Sequence, residues 1–291
     1  MDRRRFLAGS AAAAGVLAAR PATPGATAAP SAGRTVRVGM GQMLVKSGAV
    51  DENLGRAREA ITRAGRERCA VVVLPECLDL GWTHPEAARI ARPIPGPSSD
   101  ALGEAARGAG LWVVAGLTER DGERTHNTAV LLDEQGRVRL KHRKINELDI
   151  AWHLYARGTS LEVADTPFGR VGIPICADNS TASTELGLAL GRMGARLLLS
   201  PCAWAVTPDH DDAKEPYGRD LWDVAYRLFA EKQRIATVAV SNVGRMEAGP
   251  WKGRYCIGSS LAVGPDGAVL ARLPYGVDAE AFRAIDVPLA G

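Results

Sequence analysis

Ala70-Val71-Val72-Val73-Leu74-Pro75-Glu76 is the stretch on which the architecture of this chain turns. Its apolar run is too short for a helix and lacks the polar alternation of a half-exposed strand, so it reads as a strand buried on both faces. Pro75 ends the run, because proline brings no N–H to a ladder. Upstream, Val36, Val38 and Met40 alternate with Arg37 and Gly39 as a strand, and Asp51 caps a helix in which Leu54, Ala57, Ile61 and Ala64 recur at helical spacing. Downstream come a helix over 98–110 and an uncharged strand over 111–117. Strands over 125–132 and 138–140 then flank the turn Asp133-Glu134-Gln135-Gly136. The second half repeats this style. A strand over 171–175 leads into Cys176, Gly194 stops a helix over 184–193, and an apolar strand covers 197–200. The longest amphipathic helix is expected over 217–233 and a buried strand over 235–240. A second hairpin turns at Gly264-Pro265-Asp266-Gly267, and a last strand covers 282–287. Buried strands alternating with helices, with no low-complexity linker between them, make residues 35–291 one α/β domain with a mixed sheet and helices packed on it. The two hairpins hint at two similar halves, without a repeat in the sequence.

The composition agrees. Of 291 residues, 46% are hydrophobic and 24% charged, the balance of a chain that buries a core and not of a disordered or fibrous one. The formal net charge is +3, and Arg3, Arg4, Arg5 and Arg20 against Asp2 supply all of it. A neutral body gives no electrostatic reason to expect nucleic acid or an anionic membrane as partner. Residues 1–34 read as an address and linker. Adjacent arginines precede Phe6-Leu7, an Ala-rich apolar run follows to Ala19, and a small-x-small site stands at Ala26-Thr27-Ala28. The pattern resembles a twin-arginine signal and implies export to the periplasm or beyond; an ordinary secretory signal or an Ala-rich tail is the plainer alternative. The run falls short of the roughly 20 residues that span a bilayer, so no membrane anchor is expected. Cys69, Cys77, Cys176, Cys202 and Cys256 are odd in number and include no C-x-x-C pair, which argues against a disulfide framework or a structural zinc site.

Three places set a reactive side chain just past a buried strand, where open α/β folds bind ligands. Glu76 follows Val72-Val73-Leu74-Pro75 and suits a general base at the rim of the core. A solvated glutamate opening a loop is the bland alternative. Lys144 ends Lys141-His142-Arg143-Lys144, which alone reads as a solvated edge strand. Strand alternation nevertheless puts His142 and Lys144 on one face, so one pair can point inward. Cys176 ends Gly172-Ile173-Pro174-Ile175 and precedes Ala177-Asp178-Asn179-Ser180, a strand-to-turn position that suits a thiolate nucleophile as well as it suits a packed structural cysteine.

Taken together, Leu-Pro-Glu, Arg-Lys and Ile-Cys-x-Asp in this order resemble the landmarks of the nitrilase (carbon-nitrogen hydrolase) superfamily. The spacings are 68 residues from Glu76 to Lys144 and 32 from Lys144 to Cys176. Gly39-Met40-Gly41-Gln42, Asp51-Glu52-Asn53, Ser241-Asn242-Val243-Gly244, Gly258-Ser259-Ser260 and Pro265-Asp266-Gly267 extend the likeness over residues 35–287. The resemblance implies a four-layer α-β-β-α sandwich. It implies Cys176 as nucleophile, Glu76 as the base that takes its proton, and Lys144 with the backbone N–H of Ala177 as stabilisers of the oxyanion. It implies a thioester route on a small carboxamide or N-carbamoyl amine, without metal or organic cofactor, and association into homodimers or larger homo-oligomers. Many members carry a further glutamate between the Lys and the Cys, about seven residues before a Gly. With Gly158 as that Gly, the position falls on Ala151, Trp152 and His153, so Glu147, Asp149 or His153 takes the supporting role, or the role is absent. Transfer of the acyl group to an amine or thiol, and a degenerate member that binds without turnover, are the alternative functions. Trp82 and Trp204 are candidates for a pocket lining against ordinary packing. His210 with Asp209, Asp211 and Asp212 reads as an acidic loop more readily than as a metal site. Cys202 and Cys256 read as structural.

Overall fold

In this computed structural model residues 34–290 are described, and the arginine-led segment read as an export signal lies outside the described residues. The first half runs β1 (Thr35–Gln42), α1 (Val50–Arg66), β2 (Val71–Val73), the short α2 (Ala87–Ile90), α3 (Pro97–Ala109), β3 (Trp112–Asp121), β4 (Arg124–Leu132) and β5 (Val138–Arg143). Then follow β6 (Ala164–Thr166), β7 (Gly169–Gly172), α4 (Thr184–Arg192), β8 (Leu197–Cys202), β9 (Ala205–Val206), α5 (Val224–Gln233) and β10 (Ala236–Ser241). The chain finishes with β11 (Val243–Arg245), β12 (Tyr255–Ile257), β13 (Leu261–Val263), β14 (Val269–Arg272) and β15 (Ala281–Pro288).

The strands make two six-stranded sheets, in the orders β15-β1-β2-β3-β4-β5 and β14-β13-β10-β8-β7-β6, with β11-β12-β9 as a small third sheet. The single mixed sheet expected from the strand pattern is therefore two. Hydrophobic periodicity reports burial of a strand, and not which sheet it joins. Each large sheet has three parallel strands linked through helices, β1-β2-β3 and β7-β8-β10, and each continues into an antiparallel hairpin. These are the two similar halves the hairpin signals hinted at. β15 crosses back to pair with β1 along its whole length, from Thr35 opposite Pro288 to Gln42 opposite Ala281.

β2 shows how the sequence dictates the layering. Val71 and Val73 join a cluster with Val38 and Met40 of the first sheet and Leu199, Val238 and Val240 of the second. Val72 and Leu74, on the opposite face, pack with Ala57 and Ile61 of α1 and Leu102 and Ala106 of α3. Helices thus cover the outer face of the first sheet, while Leu190 of α4 and Tyr226 and Phe229 of α5 join the core of the second. This is the four-layer α-β-β-α sandwich. Each fully buried Val or Leu side chain contributes about 1.5–3 kcal/mol.

Two local expectations are corrected. Asp51 lies inside the first turn of α1 and does not cap it, because the helix begins at Val50. Among the described residues the longest helix is the 17-residue α1, not the 217–233 segment. That segment opens with a π turn over Arg219–Asp223, in which Asp223 N–H reaches back 3.3 Å to Gly218 O, and only then becomes α5. The extra residue in the turn carries Trp222 onto the face of Trp204, with ring centroids 5.1 Å apart.

Candidate active site

Glu76 follows β2 at the end of the parallel strands, and its N–H donates to Cys202 O at the end of β8 (3.1 Å), which ties the two sheets together at this point. Close approach of β3 behind it requires Gly116, since a Cβ there would stand 2.5 Å from Glu76 Cα. The Glu76 side chain is 1% exposed. Lys144 Nζ and Asn127 Nδ2 each donate to its Oε1 at 2.6 Å, which leaves Oε2 as the oxygen to take a proton.

Strand alternation in β5 works as the sequence suggested. His142 and Lys144 are buried on the inner face. Lys141 and Arg143 turn outward and bind Glu119 at 2.6 and 2.8 Å. Burial works against an ionised Glu119, but Arg143 and Lys141 outweigh it and hold the carboxyl at about 2. The solvated-edge reading of this basic run is thus excluded by its inner face. For Lys144, burial opposes the ammonium, yet Glu147, Glu76 and Cys176 together hold its pKa well above the ordinary lysine value. It is a fixed cation.

Cys176 opens a 3₁₀ turn over Cys176–Asn179 with φ of 45°, in the left-handed region that a non-glycine residue adopts only under strain. The elbow is held by Asp178, whose side chain is fully buried. Its Oδ2 accepts from Ile175 N–H (3.1 Å) and from His142 Nε2–H (2.8 Å). Its Oδ1 accepts from Ile145 and Asn146 N–H (3.1 and 2.7 Å). One carboxylate thereby fixes the Lys144 loop against the Cys176 turn. The N–H of Ala177 has no acceptor among the described residues and is free to bind a developing anion.

Glu76, Lys144, Cys176 and Ala177 line a single cavity of about 280 Å³. Of the candidates for the supporting carboxylate, Glu147 is the buried one, with Oε2 3.8 Å from Lys144 Nζ. Burial and the nearby Glu76 raise its pKa to about 7 against the pull of Lys144. Asp149 instead accepts from its neighbour Ile150 N–H (2.7 Å) at the surface, and His153 is exposed, so neither takes the role. Trp82 lines the cavity, with Lys144 Nζ 5.6 Å from its ring centroid. Trp204 stands behind the wall, stacked on Trp222. His210 faces Tyr217 and Tyr275, and no cluster of three metal-capable side chains occurs among the described residues.

Sequence reasoning missed Asn127, which lies in the polar first half of β4, Arg124-Thr125-His126-Asn127-Thr128, and carries no signal of its own. It read Cys202 as structural without placing it beside the nucleophile. The Cys202 thiol is in fact a neighbour of Cys176, and burial together with that neighbour pushes its pKa well up, so that it stays a thiol. Gly158 has a steric role. Its N–H donates to Lys144 O (2.8 Å), and a Cβ on it would overlap the Arg143 carbonyl. Gly158→Ala is expected to displace the backbone that carries Lys144, costing about 1–3 kcal/mol in urea unfolding and about 10²-fold in kcat/KM. Unchanged kinetics would show that Lys144 is positioned by other contacts.

The carbon-nitrogen hydrolase family model matches residues 37–290. An omega-amidase NIT2 from Bos taurus is 31% identical over 249 residues, covering 82% of this chain and 84% of its own. That from Xenopus tropicalis is 30% identical, covering 81% and 83%. Among solved structures, a carbon-nitrogen hydrolase from Helicobacter pylori G27 superimposes with a TM-score of 0.76 at 20% identity, covering 87% of this chain and 89% of its own. Saccharomyces cerevisiae Nit3, a member of the nitrilase superfamily, does so at 0.73 and 23%, covering 88% and 90%. The four-layer fold and the hydrolysis of C–N bonds expected from the sequence are both met, and this chain belongs to the carbon-nitrogen hydrolase family.

Proposed function

We propose that the chain hydrolyses a small carboxamide or N-carbamoyl amine, with Cys176 as nucleophile, Glu76 as general base and Lys144 with Ala177 N–H as the oxyanion site. The convergence of Glu76, Lys144 and Cys176 on one cavity, from positions 68 and 32 residues apart, carries the reading. Amide-splitting relatives such as the omega-amidases support it.

In this mechanism Glu76 takes the thiol proton and the sulfur attacks the carbonyl carbon. The Lys144 ammonium and the Ala177 N–H meet the charge that grows on oxygen. A single such donor is typically worth about 3–4 kcal/mol. The proton held on Glu76 passes to the leaving nitrogen, ammonia or an amine departs, and a water activated by the same carboxylate splits the thioester. Glu147 supports the polar end of this cycle. As pH rises through about 7 it loses its proton, so turnover is expected to rise over that range. Glu147→Gln removes the step and lowers kcat by about 10²-fold. The same shift has a stability signature. The folded state holds this proton above the ordinary 4.5, so the group weakens the fold by about 3 kcal/mol as pH climbs from 4.5 to 7, and the Gln variant loses that slope. A pH–rate profile of Glu147→Gln that matches the wild type would remove Glu147 from the mechanism.

Ammonia release screened over amides, carbamoyl compounds and nitriles, with Cys176→Ala as control, tests the reaction. Repeating it with hydroxylamine added separates hydrolysis from acyl transfer. Met193 and Val224 leave apolar side chains exposed at the end of α4 and the start of α5, which suits a homodimer or larger homo-oligomer, to be read by sedimentation. Export is supported by Arg3-Arg4-Arg5-Phe6-Leu7, and residues 1–34 fused to a folded reporter are expected to carry it across the inner membrane of a bacterium.

A further inference from the structure

Around the nucleophile the cavity is built mostly of carbon. Trp82 and Trp251 meet edge to face with centroids 4.9 Å apart, and Trp222 and Tyr217 stand in the wall with Trp204 packed behind them. Leu148 and Leu221 also line it, and are 37% and 43% exposed. Alanines at 177, 182, 203 and 205 keep the interior open where longer side chains would fill it. The charged groups of the lining are Glu76 and Lys144, which hold each other at 2.6 Å. Of the lining hydroxyls, Ser180 is engaged with Ala177 O (3.3 Å) and Ser183 Oγ (3.2 Å), and Tyr217 brings the other. Among the described residues, no arginine, histidine or second lysine lines the cavity. Its volume of about 280 Å³ is close to the lower bound for small-ligand pockets.

The geometry points to a substrate whose acyl group is uncharged and apolar, a primary amide of a small aromatic or branched aliphatic acid. This rests on the amidase reading of the same site and narrows its substrate class. A second carboxylate on the substrate would shed its water against indole and leucine faces. The nearest cation, Lys144, already stands between Glu76 and Glu147. A buried charge without a partner is among the costliest arrangements a protein can make. An aryl or branched alkyl group meets the opposite situation, since it buries apolar surface and stacks on tryptophan.

The full-length protein would be assayed for ammonia release from phenylacetamide and isobutyramide against succinamate and glutaramate. The apolar amides are expected to have kcat/KM higher by about 10²-fold or more, given that a single methylene in an apolar pocket is worth roughly 10–200-fold. Leu221→Arg, which adds a cation at the wall, is expected to narrow that ratio by about tenfold. Binding is read separately on Cys176→Ala through tryptophan emission. Phenylacetamide is expected to saturate at concentrations at least about tenfold below glutaramate. Equal or reversed affinity, or equal or reversed kcat/KM, overturns the inference. If the wild type released ammonia from no amide, the amidase reading would fail, while the binding series on Cys176→Ala would still decide whether the cavity selects apolar amides.

Discussion

Cys176→Ala is expected to lower turnover by about 10⁴-fold or more and to leave a folded protein. The size follows from the role, because without a covalent route the remaining groups can only polarise the substrate toward water, and removal of a nucleophile typically costs more than removal of any single donor. Retention of the fold follows from the backbone. Alanine at φ of 45° bears the same left-handed strain as the cysteine it replaces, and only a sulfur facing the cavity is lost. Cys176→Gly supplies a second arm. Glycine adopts this φ freely, so the glycine variant is expected to be more stable than the alanine variant by about 1 kcal/mol in urea, equally inactive, and thus a direct measure of the strain held at the elbow. The thiol is also the one an electrophile should find. Burial pushes Cys69 to about 11 and Cys256 to about 12 and keeps Cys77 and Cys202 well above the ordinary thiol value. One equivalent of iodoacetamide label, lost in Cys176→Ala, is the expected result. Turnover in Cys176→Ala above a tenth of wild type would end the nucleophile assignment.

Lys144→Met is expected to damage both activity and stability. Loss of the oxyanion cation should cost about 10²–10³-fold in kcat. The stability loss has a separate cause. Glu76 and Glu147 are both buried, and the ammonium is the cation between them, 2.6 and 3.8 Å away. Removing one partner of a buried charge pair costs about 3–5 kcal/mol, because the remaining carboxylate must either stay uncompensated or take up a proton. The double variant Lys144→Met, Glu76→Gln should therefore recover much of the lost stability and none of the lost activity. Urea unfolding at pH 7 alongside steady-state kinetics separates these effects. A single variant as stable as the wild type would show that Glu76 and Glu147 share a proton and need no cation.

Much of this arrangement could be read from the residues alone, and the reasons differ by element. Val71-Val72-Val73-Leu74 announced a doubly buried strand because both its faces are apolar, and both faces are indeed covered. Glu76 and Cys176 were visible because each follows an apolar strand with a reactive group, whereas Lys144, in a run that alone reads as a solvated edge, stood out only through its order with the other two. What stayed hidden were relations between distant segments. Nothing in the pattern of β1 says that its neighbour is β15, and the strand pattern alone gave one sheet where the family resemblance implied the two that are found. Glu147 could not be told from Asp149 by spacing, since only the course of the loop decides which carboxylate turns inward. Asn127 and Asp178 are ordinary polar residues in the sequence. Their importance comes from being hydrogen-bonded while buried.

The pairing of β15 with β1 has a consequence for biogenesis. The two strands are joined through eight consecutive residue pairs, yet more than two hundred residues separate them along the chain. While the ribosome is still at work, β1 therefore waits with one edge unpaired, open to capture by another nascent chain. Closure of so distant a contact is slow. Premature termination before about Ala281 should give a polypeptide that contains every reactive group discussed and yet depends on chaperones to stay in solution.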